Sequence, residues 1–155
     1  MESGYNYPTI EQIVDIHRKT VQYSGGGDCG HYDLGRLESV LCHIQNDEYY
    51  PSFVDKLTHL FYSICEFHCF VDGNKRLAIT ASAHFLLLNG YMAIAKVFFS
   101  ETENISYHVA SGCISKELLH RIFTAILDGT YESDEELKLV IYEAIADGRD
   151  DNDKL

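Results

Sequence analysis

Apolar residues recur every three or four positions along almost the whole chain, the spacing that places them on one face of a helix. The first stripe, Ile10, Ile13, Val14 and Val21, follows Thr9, which with Gln12 has the spacing of a capping box. It should stop before Gly25-Gly26-Gly27, a run that regular structure tolerates poorly and that opens a flexible loop reaching to about Tyr32. Asp33 then caps a short helix bearing Leu34, Leu37, Leu41 and Ile44. After a polar turn over residues 45–51, Ser52 and Asp55 repeat the capping-box spacing ahead of Phe53, Leu57, Leu60, Phe61 and Ile64, and that helix should run to about Phe67.

The next segment, residues 75–88, is apolar on nearly every face, which predicts a helix at the centre of the domain, ended by Asn89-Gly90. Residues 91–99 read as a short strand or an irregular connection, because Val97, Phe98 and Phe99 favour β structure. Ser100 with Glu103 has the spacing to cap a short helix to about Ser111, where Gly112 stops it. Ser115 caps another helix, carrying Leu118, Leu119, Ile122, Phe123, Ile126 and Leu127. Ser133 with Glu136 caps the last, carrying Leu137, Val140, Ile141, Ala144 and Ile145. The predicted fold class is therefore all-α, a helical bundle around one central buried helix. One domain is expected over residues 1–147, followed by an acidic tail, residues 148–155, that frays.

Composition narrows the function. With 155 residues and 46% hydrophobic positions, the chain can bury roughly 70% of its unfolded surface and needs no disulfide or metal staple. Its formal charge of −12 opposes the counterion release that drives binding to a polyphosphate backbone, so no nucleic acid partner is expected. Acidic patches suit a basic surface on a protein partner instead. Five irregularly spaced cysteines point to reduced thiols in a cytoplasmic setting. Residues 1–9 lack a basic region followed by an apolar run, so no secretory leader is expected. The longest apolar run is broken by Thr80, Ser82 and His84 and falls short of the ~20 residues that a membrane span needs.

One stretch carries chemistry: His68-Cys69-Phe70-Val71-Asp72-Gly73-Asn74-Lys75-Arg76, at the entry to the buried helix. A glycine at a loop-to-helix junction lets backbone N–H groups approach an anion, and the positive end of the helix points at the same place. Asn74 adds a side-chain donor, and Lys75 and Arg76 add two cations. Cations disfavour a helix N-terminus, so this pair belongs to a site that holds an anion. Asp72 is a hard oxygen ligand of the kind that holds Mg²⁺ against nucleotide phosphates. His68 titrates near neutrality and can take a proton from an attacking hydroxyl. The segment matches neither a Walker A loop nor a kinase glycine loop.

Plainer readings cover less. A simple turn explains Asp72-Gly73-Asn74 but not the His, Phe and Arg at these spacings as well. Cys65, His68 and Cys69 fall on one helical face, yet no fourth ligand has zinc-site spacing. His17, His43, His59 and His84 occupy helical positions and read as structural, while His31 sits in the glycine loop.

At these residues the chain resembles the Fic/Doc (Fido) family, whose signature is His-x-Phe-x-Asp/Glu-Gly-Asn-x-Arg. Leu37-Glu38-Ser39 and the helix end Leu87-Leu88-Asn89-Gly90-Tyr91 extend the likeness. The resemblance implies a transferase using ATP and Mg²⁺ on a protein substrate. His68 would be the general base, Asp72 the metal ligand, Gly73 and Asn74 the phosphate cradle, and Lys75 and Arg76 the charges on the transferring group. AMP-transferring members usually carry Gly where this chain has Lys75. The lysine is similar to the Doc branch, in which a phosphoryl group goes to a Ser or Thr hydroxyl, a translation factor being the implied target. AMP transfer is the alternative activity, and a protein-binding scaffold with little turnover is the third reading. The residue-25–32 loop falls where the family places a flap for the target's main chain. No Ser/Thr-x-x-x-Glu-Gly/Asn inhibitory segment occurs in these residues, so an antitoxin would be a separate polypeptide. Two departures stand out: Cys69 replaces the usual Pro, which would have fixed the backbone beside His68, and Leu77 replaces the common Thr.

Overall fold

The computed structural model describes residues 4–27, 30, 33–67, 69 and 73–153, without the side chains of residues 149–153. Seven α-helices and one 3₁₀ turn, with no strand among the described residues, confirm the all-α class: α1 Ile10–Tyr23, α2 Leu34–His43, α3 Phe53–Phe67, α4 Asn74–Leu88, α5 Met92–Ala110, α6 Lys116–Asp128 and α7 Glu135–Asp153.

The helix starts follow the sequence signals. Thr9 and Gln12 close a full capping box on α1. Asp33 accepts from the Arg36 amide to cap α2, and Ser115 accepts from the Leu118 amide to cap α6. Ser52 and Asp55 exchange hydrogen bonds ahead of α3 at 3.0 and 3.1 Å. Each bond satisfies an amide that the first helical turn leaves without an internal acceptor.

Helix α4 is the hub. It packs on α1, α3 and α5, and its small residues Ala78, Ala81 and Ala83 are fully or almost fully buried between larger ones such as Leu77, Phe85 and Leu86. Small side chains let three helices approach one axis, which is why the all-round apolar pattern belongs at the centre. Two aromatic groups wedge the bundle. Phe61, Phe98 and Phe123 join α3, α5 and α6 with ring centroids 5.1–6.1 Å apart. Phe53 meets Phe85 and Tyr91 at 4.7 and 5.1 Å. Asn89 does more than end α4: its side chain accepts from the Asn6 amide at 2.8 Å and donates to the Asn6 carbonyl at 2.9 Å, strapping the N-terminal segment across the helix end.

Four expectations are corrected. Residues 91–99 are neither strand nor irregular connection, because α5 runs unbroken from Met92 to Ala110. Ala95, Phe98, Thr102, Ile105 and Val109 are its buried face, at helical spacing. Ser100 and Glu103 therefore lie inside this helix and cap nothing. The last helix is capped by Asp134, whose carboxylate accepts from the Leu137 amide at 3.0 Å, while Ser133 closes a 3₁₀ turn over Tyr131–Ser133. Finally, α7 continues to Asp153, so residues 148–153, expected to belong to a fraying tail, are helical. None of the helices among the described residues is long and apolar enough to cross a membrane.

Candidate functional site

The site is built where the connection after α3 turns into α4. Gly73 is the N-cap residue of α4, with φ +80° and ψ 15°, and no side-chain cap. That left-handed geometry alone favours glycine. Packing gives a second reason, since a Cβ here would lie 3.2 Å from Val21 Cγ2 and 3.5 Å from His17 Nε2, both on α1. His17 and Val21 are themselves buried, so α1 fixes the height at which the chain enters α4.

The first internal bond of α4 runs from the Leu77 amide to the Gly73 carbonyl at 2.9 Å. The amides of Asn74, Lys75 and Arg76 thus precede any acceptor that the helix supplies, and they share its positive end. Lys75 and Arg76 are exposed and Asn74 is half-buried. The structure therefore gathers four of the expected residues, Gly73 to Arg76, into one turn at the mouth of the central helix. His68, Phe70, Val71 and Asp72 lie outside the described residues, as do His31, Tyr32 and half of the expected flap. Within the described part of that loop, Gly25, Gly26 and Gly27 all have positive φ, and the Gly26 amide folds back on the Val21 carbonyl at 3.0 Å.

Helix α2 clamps the connection from the other side. The Asp33 amide donates to the Cys69 carbonyl at 3.2 Å, and Arg36 lies 5.0 Å over the Phe67 ring. Cys69 is buried, and burial, reinforced by the Asp33 charge, pushes its thiol above the ordinary range. It packs as a small apolar side chain. Cys65 is likewise buried, its thiol pushed up to about 12 by desolvation, and no group of three metal-ligating side chains occurs among the described residues.

Beside Arg76 opens a cleft of about 240 Å³ between α1, α4 and α5, lined by Thr20, Arg76, Ile79, Thr80, Phe99 and Glu103. Thr80 donates to the Arg76 carbonyl at 3.0 Å, and Thr20 to the Ile16 carbonyl at 2.8 Å. The motif announced Arg76, but the wall opposite comes from α1 and α5, and no local sequence signal marked it. Likewise His17 was read as structural, and its packing against Gly73 is that role made specific.

These features define a class: an all-α domain whose central helix begins at a glycine-capped, donor-rich turn suited to phosphate. The comparisons give the family. A Fic/DOC family model matches residues 7–86, the span from just before α1 to within α4. The toxin Doc of Mycolicibacterium smegmatis (strain ATCC 700084 / mc(2)155) is 33% identical over 90 residues, covering 56% of this chain and 69% of that protein. The chain belongs to the Fic/DOC family, whose members are nucleotide-transferring enzymes.

Proposed function

We propose that this protein is a Doc-like, ATP-dependent transferase that phosphorylates a Ser or Thr hydroxyl of a cytoplasmic protein, with a translation factor as the leading target class. It would act as the toxin of a pair whose antitoxin is a separate polypeptide. The observation that carries the reading is the Gly73-capped turn with Asn74, Lys75 and Arg76 at the start of the central helix, inside the family-matched span.

In this reading the amides and side chain at Gly73 and Asn74 hold the nucleotide phosphates, and Lys75 and Arg76 offset the charge that spreads over the transferring group. His68 accepts the target hydroxyl proton as its oxygen bonds to the γ-phosphorus. The bond from that phosphorus to the bridging oxygen breaks, and ADP leaves with the electron pair. Mg²⁺ would be held by the motif's one carboxylate, Asp72, together with the nucleotide phosphates. Bound there with the phosphates, Mg²⁺ would supply charge neutralisation. Lys75 supports phosphoryl over adenylyl transfer, because AMP-transferring relatives usually carry the smaller Gly at this position.

The test is transfer from ATP labelled at the γ or at the α position, with the intact mass of the modified protein as second readout. Label from the γ position only, with the mass of one phosphate added, is the expected result. Label from the α position with the mass of one adenylate overturns phosphoryl transfer. Absence of both, with nucleotide binding retained, leaves the protein-binding scaffold. His68→Ala is expected to fold, bind ATP and lose transfer. Modification at the wild-type rate would remove the general-base role.

A further inference from the structure

At the far end of α3 from the motif, a separate open pocket of about 360 Å³ lies between the starts of α3 and α6, with Tyr49, Tyr50, Asp55, Thr58, Lys116 and His120 on its walls. From Asp55 to Phe67 the helix axis spans roughly 18 Å at its standard rise, so this is not the phosphate turn of α4.

Three independent features of its lining call for an anion. Lys116 is half-buried and lies within 4 Å of no carboxylate among the described residues. Its ammonium instead donates to His59 Nδ1 at 2.9 Å and lies 5.6 and 5.8 Å from the ring centroids of Tyr50 and Tyr62. Lysine can only donate, so His59 Nδ1 accepts and the imidazole is neutral. Burial, with the Lys116 charge and then His43, holds the His59 pKa down to about 4. The cation is therefore oriented by an uncharged clamp and makes no close ion pair, the neighbouring Glu117 charge acting on it from beyond salt-bridge distance.

The second feature is Thr58. Only 2% exposed, it presents a hydroxyl with no hydrogen-bond partner. A buried hydroxyl left unpaired is costly, and because Thr58 belongs to the pocket lining, a ligand oxygen brought against it there would satisfy it. The third is the start of α6. Its first internal bond is Leu119 N to the Ser115 carbonyl, and Ser115 Oγ takes the Leu118 amide. The Lys116 and Glu117 amides thus have no acceptor within the helix. Of the two acids on the walls, Asp55 is already engaged: it accepts from His120 Nε2 at 2.7 Å and from the Ser52 amide at 3.0 Å. The other, Glu117, is exposed and lines the pocket next to Lys116.

We propose that this pocket is a second binding site, taking a carboxylate or phosphate group carried by a small organic molecule, with the anion among the Lys116 ammonium, the Thr58 hydroxyl and the first amides of α6. Tyr49 and Tyr50 provide apolar walls for the rest of the ligand, since the volume exceeds that of the anionic group alone.

The experiment is a titration of the full chain with sodium acetate and, separately, with inorganic phosphate at constant ionic strength, followed by amide NMR. Saturable shifts of the Lys116 and Glu117 amides by either probe support the site, and the probe that saturates at lower concentration identifies the group. Phosphate shifts at Asn74, Lys75 and Arg76 report the α4 turn, so the two sites are read apart. Lys116→Met should weaken binding at 116 and 117 by about tenfold or more. Thr58→Val should weaken it by a smaller factor, and Thr58→Ser, which keeps the hydroxyl, should restore it. Non-saturating shifts with both probes overturn the proposal, as does an unchanged titration in Lys116→Met or equal behaviour of Thr58→Val and Thr58→Ser.

Discussion

Gly73 is held to glycine by its own backbone and by a neighbouring helix, and the two constraints predict a compound cost. Left-handed geometry costs a non-glycine residue roughly 1–2 kcal/mol. The added Cβ must also displace Val21 Cγ2 at 3.2 Å from a buried position. Gly73→Ala is therefore expected to lower unfolding free energy by about 2–3 kcal/mol, measured by urea denaturation, and to shift the amides of Asn74 and Lys75. Val21→Ala should recover part of the stability lost in Gly73→Ala, because it removes the obstructing methyls; strict additivity in the double variant would deny the contact. Lys56 makes the complementary case at this scale. It is 0% exposed, and its ammonium donates to the Ile44 carbonyl at 2.7 Å and to Asp47 at 2.8 Å, pinning the turn before α3. Lys56→Met keeps the length of the stem but orphans a buried carbonyl and frees the turn, and a loss of about 2–4 kcal/mol in the same assay is expected.

At the scale of elements, legibility depended on whether the signal was local. Helices α1, α2, α3 and α6 could be placed because a capping side chain and its amide lie three residues apart, so the sequence contains the whole interaction. The motif turn was legible for the same reason: Gly73 to Arg76 are consecutive. Helix α5 was misread because Val97, Phe98 and Phe99 outweighed a periodic set, Ala95, Phe98, Thr102, Ile105 and Val109, that was already present and that tertiary burial turned into one helix. The continuation of α7 was illegible because its anchor is distant: a Cβ on Gly148 would overlap Cys113 Sγ, so the glycine allows α7 to lie against the turn that follows α5. This reverses a usual expectation. Gly→Ala inside a helix ordinarily stabilises by about 0.5–1 kcal/mol, whereas Gly148→Ala is expected to destabilise by about 1–3 kcal/mol. Cys113→Ala, by removing the sulfur, should return the substitution to its stabilising sign, as thermal melts of the four chains would record.

Across the whole molecule, acid stability follows from the groups whose protonation differs between folded and unfolded chains. His59 is held at about 4 when folded, against 6.5 when free, because burial and the Lys116 charge disfavour its cation. Between those values the unfolded chain binds more protons, so the stability from this group is fully present above about 6.5 and is lost as pH falls toward 4. Asp55 acts lower. Burial pushes its carboxyl up, but bonds from Ser52 and His120 outweigh it and hold the group below its ordinary 3.8, so its contribution disappears only under stronger acid. Glu101 has the opposite sign. Burial and the neighbouring Glu132 raise it, so its contribution is present at low pH and is lost as pH rises through its folded value, partly offsetting His59 where the two windows meet. In the upper part of the interval, just below 6.5, half-buried His84, which burial also holds below its ordinary value, acts with the same sign as His59. The wild-type urea midpoint should therefore fall as pH drops below 6.5, while His59→Gln, which cannot take up the proton, should give a shallower profile whose remaining slope belongs to His84. Equal slopes in the two chains would mean that the imidazole is not kept neutral, and with it would go the uncharged clamp that holds Lys116 between α3 and α6.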